Sequence, residues 1–380
     1  MSAAGGARNS HRRRLRVVYV LLGDPGERSP DDLLALLPTV ARTARALDAT
    51  GRVDVHVVAR ISPAHGGTRL DHDGAAFHFV DTDDRAGGAM ASLVAAVAPD
   101  VVHMNGLVFP HATETIAAAA SDAVVLVQHH GELPPGGVRT RFVLRRAARK
   151  VDAFAFTGGS TGQAEPWRRL LGRQPTIVEV LETSTDLRAV DRGEARRMLG
   201  IVGDPAVLWV GRFTDGKDPA TAIAAFAALL ARRPAARLWI LAGDRSGEAV
   251  VSTAIGARPA LAERVHVAGP VPHREMASWL SAADVLLSTS RHEGSGYSVI
   301  EAMACGCPVV VSGIAPHRAI VAGAGALVPV GAADEFAVAL ATARLDEDAR
   351  RTVRQMFESR LGWPAVADQL LAAYAAAGAT

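Results

Sequence analysis

Residues 288–312 read STSRHEGSGYSVIEAMACGCPVVVS. The order of residue types predicts a buried strand, a glycine-bearing loop, a short helix and a second buried strand. Gly294 and Gly296 remove side chains where backbone N–H groups can approach an anion, and the start of the following helix adds its positive dipole end. The stretch therefore predicts an α/β fold with a diphosphate-sized anion site at a strand end.

Two carboxylates flank this loop. Glu301 falls in the first turns of the predicted helix, where a carboxylate can accept hydrogen bonds from both vicinal hydroxyls of a ribose. Glu293 precedes the glycines and faces the same cavity, where it can hold sugar hydroxyls or a positive charge developing at C1. The alternative is that Glu301 only complements the helix dipole and Glu293 is a solvated loop residue. The whole string favours the functional interpretation.

The rest of the chain repeats the alternation of short β-branched runs with longer Ala/Leu/Arg-rich stretches. That pattern is typical of parallel strands buried on both faces and joined by helices. At 380 residues the chain exceeds the usual size of one hydrophobic core, which predicts two domains. The predicted strands are Arg16–Leu22, Val53–Ala59, Ala75–Val80, Asp100–Met104, Ala123–Gln128, Asp152–Thr157 and Thr176–Val180, then Ala206–Gly211, Arg237–Ala242, Arg264–Ala268, Asp284–Thr289, Pro308–Ser312 and Ala326–Pro329.

Helix start signals follow the first strand of each half. Ser29-Pro30 precedes a predicted helix over Leu33–Leu47, and Asp218-Pro219 precedes one over Thr221–Ala231. The loops before these helices therefore lie at the carboxyl ends of strands, where open α/β sheets bind ligands. These loops are residues 23–28 and 212–217.

The second of these loops carries two cations, Arg212 and Lys217. A guanidinium can fork onto phosphate oxygens and an ammonium adds a mobile point charge, so the pair can neutralise a diphosphate leaving group without a metal. Loop cations are usually solvated, and that is the alternative for each residue taken alone.

Composition argues against several classes of protein: nucleic-acid-binding, disulfide-bonded, metal-binding and membrane-spanning proteins. Lys+Arg total 41 against 39 Asp+Glu, which gives no nucleic-acid footprint. Cys305 and Cys307 are too close in sequence for a mutual disulfide, which suits the cytoplasm, and offer too few ligands for a metal site. The apolar run Val17–Leu22 is too short for a signal sequence or a membrane span, so residues 1–14 are predicted to be a disordered basic tail.

Arg212 and Lys217, followed by the Glu-x7-Glu string that ends Glu301-Ala302-Met303-Ala304, resemble the retaining glycosyltransferases of family 4. The similarity is strongest over Val207–Ser312. It implies the GT-B fold: two Rossmann-like domains facing a cleft, with a C-terminal helix that crosses back to the first domain. The implied division is an acceptor domain over 15–188, a nucleotide-sugar domain over 189–362 and the crossing helix over 363–380.

The resemblance also implies roles for individual residues in binding the donor. Arg212 and Lys217 would bind its diphosphate, Glu301 its ribose and Glu293 the transferred sugar. The distal phosphate would lie on the amides of the glycine loop, and Val271 would lie beside the base. The loop at 243–247 departs from the family because it lacks the usual second close glycine, and Arg245 would instead reach the nucleotide or a phosphate. The implied amide-bearing residues are Gly294, Ser295, Gly296 and Tyr297.

In the first domain, the segment 127–132 resembles the family's strand-end histidine segment. This implies that His130 lines the reaction centre, with His129 as the second choice, whereas a loop histidine without a role is the alternative. The acceptor would lie against Gly23, Asp24, Asn105 and His129.

We expect a hexosyl-type sugar to pass from a UDP- or GDP-linked donor to a small metabolite, with retention and without metal or other cofactor. A lipid-linked acceptor is an alternative, and oligomeric state is not predicted. Two other functions stay open: a nucleotide-sugar epimerase on the same scaffold, and an NAD-dependent oxidoreductase or non-catalytic nucleotide-binding module. The loop after the first strand has Gly23 and Gly26 but no Gly-x-Gly-x-x-Gly, which weakens the case for NAD.

Overall fold

A computed structural model describes residues 13–23, 26, 28–36, 38–81, 87–171, 175–181, 183–243 and 247–379. These residues form two compact units. Those of the first fall within 1–127, 142–153 and 374–380, and those of the second within 128–141 and 154–373. The predicted domain bounds stay predictions.

An eight-stranded sheet is built from the first half of the chain, in the order β3-β4-β2-β1-β5-β6-β7-β8. β1 pairs in parallel with both β2 and β5, whereas β3 is antiparallel to β4. Its strands are β1 (Leu15–Leu21), β2 (Val53–Ile61), β3 (Arg69–His72), β4 (Ala75–Asp81), β5 (Val101–Asn105), β6 (Val124–Gln128), β7 (Ala153–Phe156) and β8 (Thr176–Glu179). The accompanying helices are α1 (Pro30–Leu36), α2 (Pro38–Asp48), α3 (Gly88–Val97), α4 (Pro110–Ala119), α5 (Val138–Ala148) and α6 (Glu165–Leu171).

A six-stranded parallel sheet follows, in the order β11-β10-β9-β12-β13-β14. Its strands are β9 (Ala206–Gly211), β10 (Arg237–Ala242), β11 (Val265–Val267), β12 (Val285–Ser288), β13 (Val309–Ser312) and β14 (Ala326–Val328). The remaining helices are α7 (Arg192–Leu199), α8 (Pro219–Leu230), α9 (Glu248–Gly256), α10 (Met276–Ala282), α11 (Tyr297–Ala304), α12 (Ala315–Val321), α13 (Ala333–Thr342), α14 (Glu347–Arg360) and α15 (Trp363–Ala376), with 3₁₀ turns at Pro63–His65, Pro259–Leu261 and His273–Glu275.

The expected α/β class with two mainly parallel sheets is confirmed. In each sheet the chain winds outward in one direction, then restarts beside its first strand, which creates a switch point between β1 and β5 and another between β9 and β12. Ligands of open α/β sheets bind outside the carboxyl ends of strands at such points. The switch points therefore locate one candidate site in each sheet.

Two details of the first half differ from the prediction. The helix expected over Leu33–Leu47 is two helices, because Pro38 begins a new one. The edge strand β3 was not predicted, since its polar, mostly exposed residues lack the apolar character of a buried strand. It pairs with β4 through a two-residue turn in which Asp73 and Gly74 both have positive φ.

Candidate active site

Two loops meet at the switch point of the six-stranded sheet. Residues 212–218 follow β9, and residues 289–296 follow the neighbouring strand β12. The backbone N–H of Arg291 donates to the carbonyl of Gly216 at 2.8 Å, and the Thr289 hydroxyl donates to the carbonyl of Asp218 at 2.8 Å. The cation-bearing loop and the glycine loop are thus joined directly.

Lys217 and Glu293 form an ion pair between these loops. The Lys217 ammonium donates to Glu293 Oε1 at 2.5 Å, and the Ser290 hydroxyl donates to the same oxygen at 2.7 Å. The side chains are 22% and 11% exposed, so the pair is partly shielded from water but still reachable. The structure brings these two predicted residues together, although 76 positions separate them in sequence.

The glycine loop is held between backbone segments. A Cβ on Gly294 would lie 2.9 Å from both the carbonyl carbon and the oxygen of His130, so a side chain there would collide with main chain. The Gln163 side-chain amide donates to the carbonyl of Gly294 at 2.9 Å. Gly296 has φ of 71° and directly precedes α11. Glycine is needed at both positions, for close approach at Gly294 and for a left-handed backbone at Gly296.

His317, at the start of α12, packs under the loop. It is fully buried, its Nδ1–H donates to the Ser312 carbonyl at 2.9 Å, and a Cβ on Gly296 would lie 3.0 Å from its Nε2. Burial lowers the pKa of His317 to about 4, against the opposing effect of the nearby Glu293 carboxylate. The imidazole is therefore neutral near pH 7.

Glu301 projects from α11 and is 4% exposed. His273 Nε2 lies 2.6 Å from Glu301 Oε1. His273 belongs to the 3₁₀ turn after the loop that follows β11, which is where Val271 lies, half-buried. The ribose and base positions implied by the resemblance are thus neighbours in the structure.

The other residues predicted to bind the nucleotide-sugar donor differ in exposure and position. Arg212 is exposed, with its Cγ 3.5 Å from where a Cβ on Gly243 would stand, whereas Ser295 is buried. Tyr297 is the first residue of α11. Arg245 lies outside the described residues.

His129 and His130 differ in exposure. His129 is 1% exposed, stacks on Phe156 with centroids 4.9 Å apart, and donates from Nε2 to the Glu132 carbonyl at 3.0 Å. The Gly131 N–H donates to its Nδ1 at 3.3 Å, so both ring nitrogens are engaged in the turn. His130 is exposed, and its carbonyl lies against Gly294. His130 is therefore the more accessible of the two residues, and its contact with a substrate stays a prediction.

Two of the predicted acceptor residues, Gly23 and Asn105, lie at the switch point between β1 and β5. Gly23 is exposed just beyond β1, and Asn105 is the last residue of β5, in register with Leu21 at the end of β1. The Asn105 amide donates to the Val20 carbonyl at 3.4 Å. Asp24 lies outside the described residues.

Four residues of the arrangement were not predicted: Ser290, Gln163, His273 and His317. Ser290 stands in the quoted string, three residues before Glu293, and its proximity offered a signal. The other three come from distant segments that only the fold brings to the loop.

Within the described residues, no group of three or more His, Cys, Asp or Glu side chains is arranged to hold a metal ion. Likewise, no helix built from them is long and apolar enough to cross a membrane.

A family model and two known proteins are similar to this chain in sequence. Residues 204–346 match the family model described as Glycosyl transferases group 1. The chain is 34% identical over 233 residues to a D-inositol 3-phosphate glycosyltransferase of Kribbella flavida, covering 56% of this chain and 54% of that protein. It is 30% identical over 269 residues to D-inositol 3-phosphate glycosyltransferase 1 of Catenulispora acidiphila, covering 67% and 63%. The chain thus spans between half and two thirds of the length of these relatives.

Solved structures share the fold over nearly the whole chain. Sucrose-phosphate synthase from Thermosynechococcus elongatus superposes with a TM-score of 0.67 at 19% identity, covering 95% of this chain and 98% of that one. Anabaena HepE, in complex with UDP and glucose, gives 0.67 at 18% identity, covering 95% and 100%. The chain therefore has the GT-B fold, and its residues 204–346 match the model of the glycosyl transferases group 1 family.

Proposed function

We propose that this protein is a retaining glycosyltransferase that moves a hexosyl residue from a UDP- or GDP-linked donor to a small hydroxylated metabolite, without a metal ion. The observation that carries the proposal is the Lys217–Glu293 pair, which lies beside the glycine loop at the β9/β12 switch point. A cation, a carboxylate and backbone amides at one strand edge suit a substrate with both a diphosphate and a sugar.

The donor would bind along the two joined loops. Arg212 and Lys217 would neutralise the diphosphate, the amides of the glycine loop would hold its distal phosphate, and Glu301 would accept the ribose hydroxyls. The names of the relatives from Kribbella flavida and Catenulispora acidiphila support glycosyl transfer. The HepE complex contains UDP and glucose, so UDP is the first nucleoside diphosphate to test.

In the proposed reaction, the bond from C1 of the sugar to the phosphate oxygen breaks, and its electron pair leaves with the nucleoside diphosphate. The acceptor oxygen forms the new bond to C1 on the same face, which retains configuration. The acceptor proton passes to an oxygen of the departing phosphate. Lys217, Arg212 and the loop amides stabilise the charge that develops on the leaving group, a role in which preorganised donors are effective. Glu293 and His130 would hold the sugar.

The acceptor would bind at the first unit's switch point, near Gly23 and Asn105. The relatives are named for an inositol phosphate, so D-inositol 3-phosphate is the first acceptor to test. Transfer to lipid-linked sugars but not to small polyols would replace this part of the proposal.

We also place the reaction in the cytoplasm. Cys305 and Cys307 are buried thiols without a disulfide, and burial raises the pKa of each to about 12. Two cysteines without a disulfide fit a reducing compartment.

The first test is thermal stabilisation of the wild type and of Glu301→Ala by UDP, GDP, ADP and NAD. A ligand that binds the native state alone stabilises it by about 2.7 kcal/mol at a hundredfold excess over its dissociation constant. We expect one nucleoside diphosphate to stabilise the wild type and to stabilise Glu301→Ala much less. Stabilisation by NAD alone, or by none of the four, would overturn the proposal.

A product assay separates transfer from isomerisation. Incubation with the matching nucleotide sugar and an acceptor should release the nucleoside diphosphate and yield a glycosylated acceptor. A changed nucleotide sugar without released diphosphate would instead favour the epimerase. Activity that is lost in chelator and restored by a divalent metal would contradict the metal-free scheme.

A further inference from the structure

The contact between His273 and Glu301 is among the shortest side-chain contacts of the candidate site. Nε2 of His273 lies 2.6 Å from Oε1 of Glu301. The carboxylate side chain is 5% exposed, while the imidazole is 53% exposed. A half-exposed ring therefore stands over a nearly buried carboxylate.

The chemistry of the two groups fixes the direction of this hydrogen bond. An ionised carboxylate only accepts hydrogen bonds, so Nε2 of His273 carries the hydrogen and donates it to Oε1. A buried carboxylate without donors is costly, and within the described part of the chain the side chain that donates to Glu301 is His273. The contact thus satisfies one oxygen of the nearly buried carboxylate and restricts its orientation.

The position of His273 gives this contact a second consequence. The 3₁₀ turn His273–Glu275 leads directly into α10, and the loop from β11 to this turn contains Val271. One residue therefore ties the loop expected beside the nucleobase to the carboxylate expected beside the ribose.

We infer that His273 is a positioning residue that holds Oε1 of Glu301, leaving Oε2 to accept the ribose diol, and so sets the preference of the site for ribonucleotides over 2′-deoxyribonucleotides. This inference rests on the proposed function, because it takes a nucleoside diphosphate as the ligand. The preference arises because a 2′-deoxyribose lacks one of the two hydroxyls that Oε2 accepts, so the oriented carboxylate loses one hydrogen bond to the ligand.

The test measures dissociation constants of UDP and 2′-deoxy-UDP by titration calorimetry for the full chain and its variants, with the GDP pair used instead if GDP proves to be the bound nucleotide. We expect the wild type to prefer the ribonucleotide by about tenfold, the value of one hydrogen bond to a charged group. His273→Asn, whose shorter amide cannot reach the place of Nε2, should lower the preference to that of Glu301→Ala. His273→Gln, whose longer amide can donate from near that place, should keep most of it.

Two controls exclude a general loss of structure. Arg274→Gln alters an exposed neighbour in the same turn and should leave the preference unchanged. The double variant His273→Asn/Glu301→Ala should match Glu301→Ala alone, since residues that act through one another are not additive.

The outcomes separate the inference from the function beneath it. If the wild type prefers UDP, Glu301→Ala loses the preference and His273→Asn keeps it, the ribose role of Glu301 stands and the inference about His273 is overturned. Equal loss in His273→Gln and His273→Asn would also overturn it, because the donated hydrogen bond would not be the cause. If the wild type binds no nucleoside diphosphate, the proposed function itself fails.

Discussion

The first unit has a sealed polar cluster, while the polar groups of the second unit's candidate site border open loops. In the first unit, the Tyr374 hydroxyl donates to the Tyr19 hydroxyl at 3.0 Å and lies 2.9 Å from Nδ1 of His103, whose ring stacks on Tyr19 at 4.3 Å. All three side chains are buried, and burial raises the pKa of both tyrosines. The cluster is closed to ligands.

In the second unit, Lys217, Glu293 and His273 keep part of their surface exposed. In the first unit, Tyr19 and His103 lie within the paired strands β1 and β5. Both regions contain titratable groups, so residue type does not separate them. What separates them is whether another side chain covers the polar atoms. Changes in the sealed cluster should therefore affect stability, and most changes at the open loops should affect ligand handling.

The largest expected effect is on the stability of the first unit. Tyr374→Ala removes a buried ring and the hydroxyl that bonds Tyr19 and His103, which should cost about 3–5 kcal/mol. His130→Ala, at an exposed position, should stay within about 0.5 kcal/mol. Urea unfolding of both variants checks the contrast, and similar midpoints would show that the cluster is not a stabilising core.

The next effect concerns His317, which is fully buried although it lies beneath the open glycine loop of the second unit. Its folded pKa is about 4 and its unfolded pKa about 6.5, so between these values the unfolded state takes up the proton first. Stability should therefore fall as the pH drops from about 6.5 to 4, by up to about 3 kcal/mol from this residue. The difference in unfolding free energy between wild type and His317→Gln, followed across that window, measures it. A difference that does not change with pH would contradict the buried neutral state.

Alanine substitution of one glycine near each switch point compares how closely the backbone is packed there. Gly294→Ala places a methyl 2.9 Å from the His130 carbonyl group, and relief of that collision should cost roughly 1–3 kcal/mol and weaken nucleotide binding. Gly23→Ala meets nothing within 4 Å and should be nearly neutral for stability. Thermal unfolding with and without UDP measures both, and equal behaviour of the two variants would argue against the tight glycine loop.

The smallest energy concerns the reaction. Lys217→Ala should lower turnover at least tenfold, about 1.4 kcal/mol, since it removes a cation expected to stabilise the leaving diphosphate. The sequence contains two lysines, and the exposed Lys150 on the first unit provides the matched control, Lys150→Ala, with wild-type turnover expected. Near-normal turnover in Lys217→Ala would remove its assigned role.

Much of the fold was predictable because parallel strands buried on both faces leave a strong apolar signal. β9, β10 and β6 lie within a residue of their predicted bounds. The edge strand β3 was not predicted, because an exposed strand lacks this apolar signal. The break at Pro38 was not predicted either, because the spacing of apolar residues continues from α1 into α2.

The candidate site divides in the same way. Glu293 and Glu301 could be predicted because local spacing around the glycines placed them on one loop-helix unit. His273 and His317 could not, because their contacts depend on tertiary packing: one comes from the turn before α10, the other from α12. Motif spacing identified the two carboxylates, whereas the histidines packed against the same loop and helix are found only through the fold.

In the proposed reaction, the Lys217–Glu293 ion pair would make binding of the donor an exchange of counterions within the protein. Before the donor arrives, the Glu293 carboxylate is the counterion of Lys217. In the proposed reaction, a diphosphate that takes this place releases Glu293 to accept sugar hydroxyls, so binding the phosphates and recognising the sugar become one coupled event. A nucleoside diphosphate without a sugar would release the carboxylate but offer it no sugar hydroxyls. Part of the binding free energy of the full donor would therefore come from the hydrogen bonds between the sugar and Glu293.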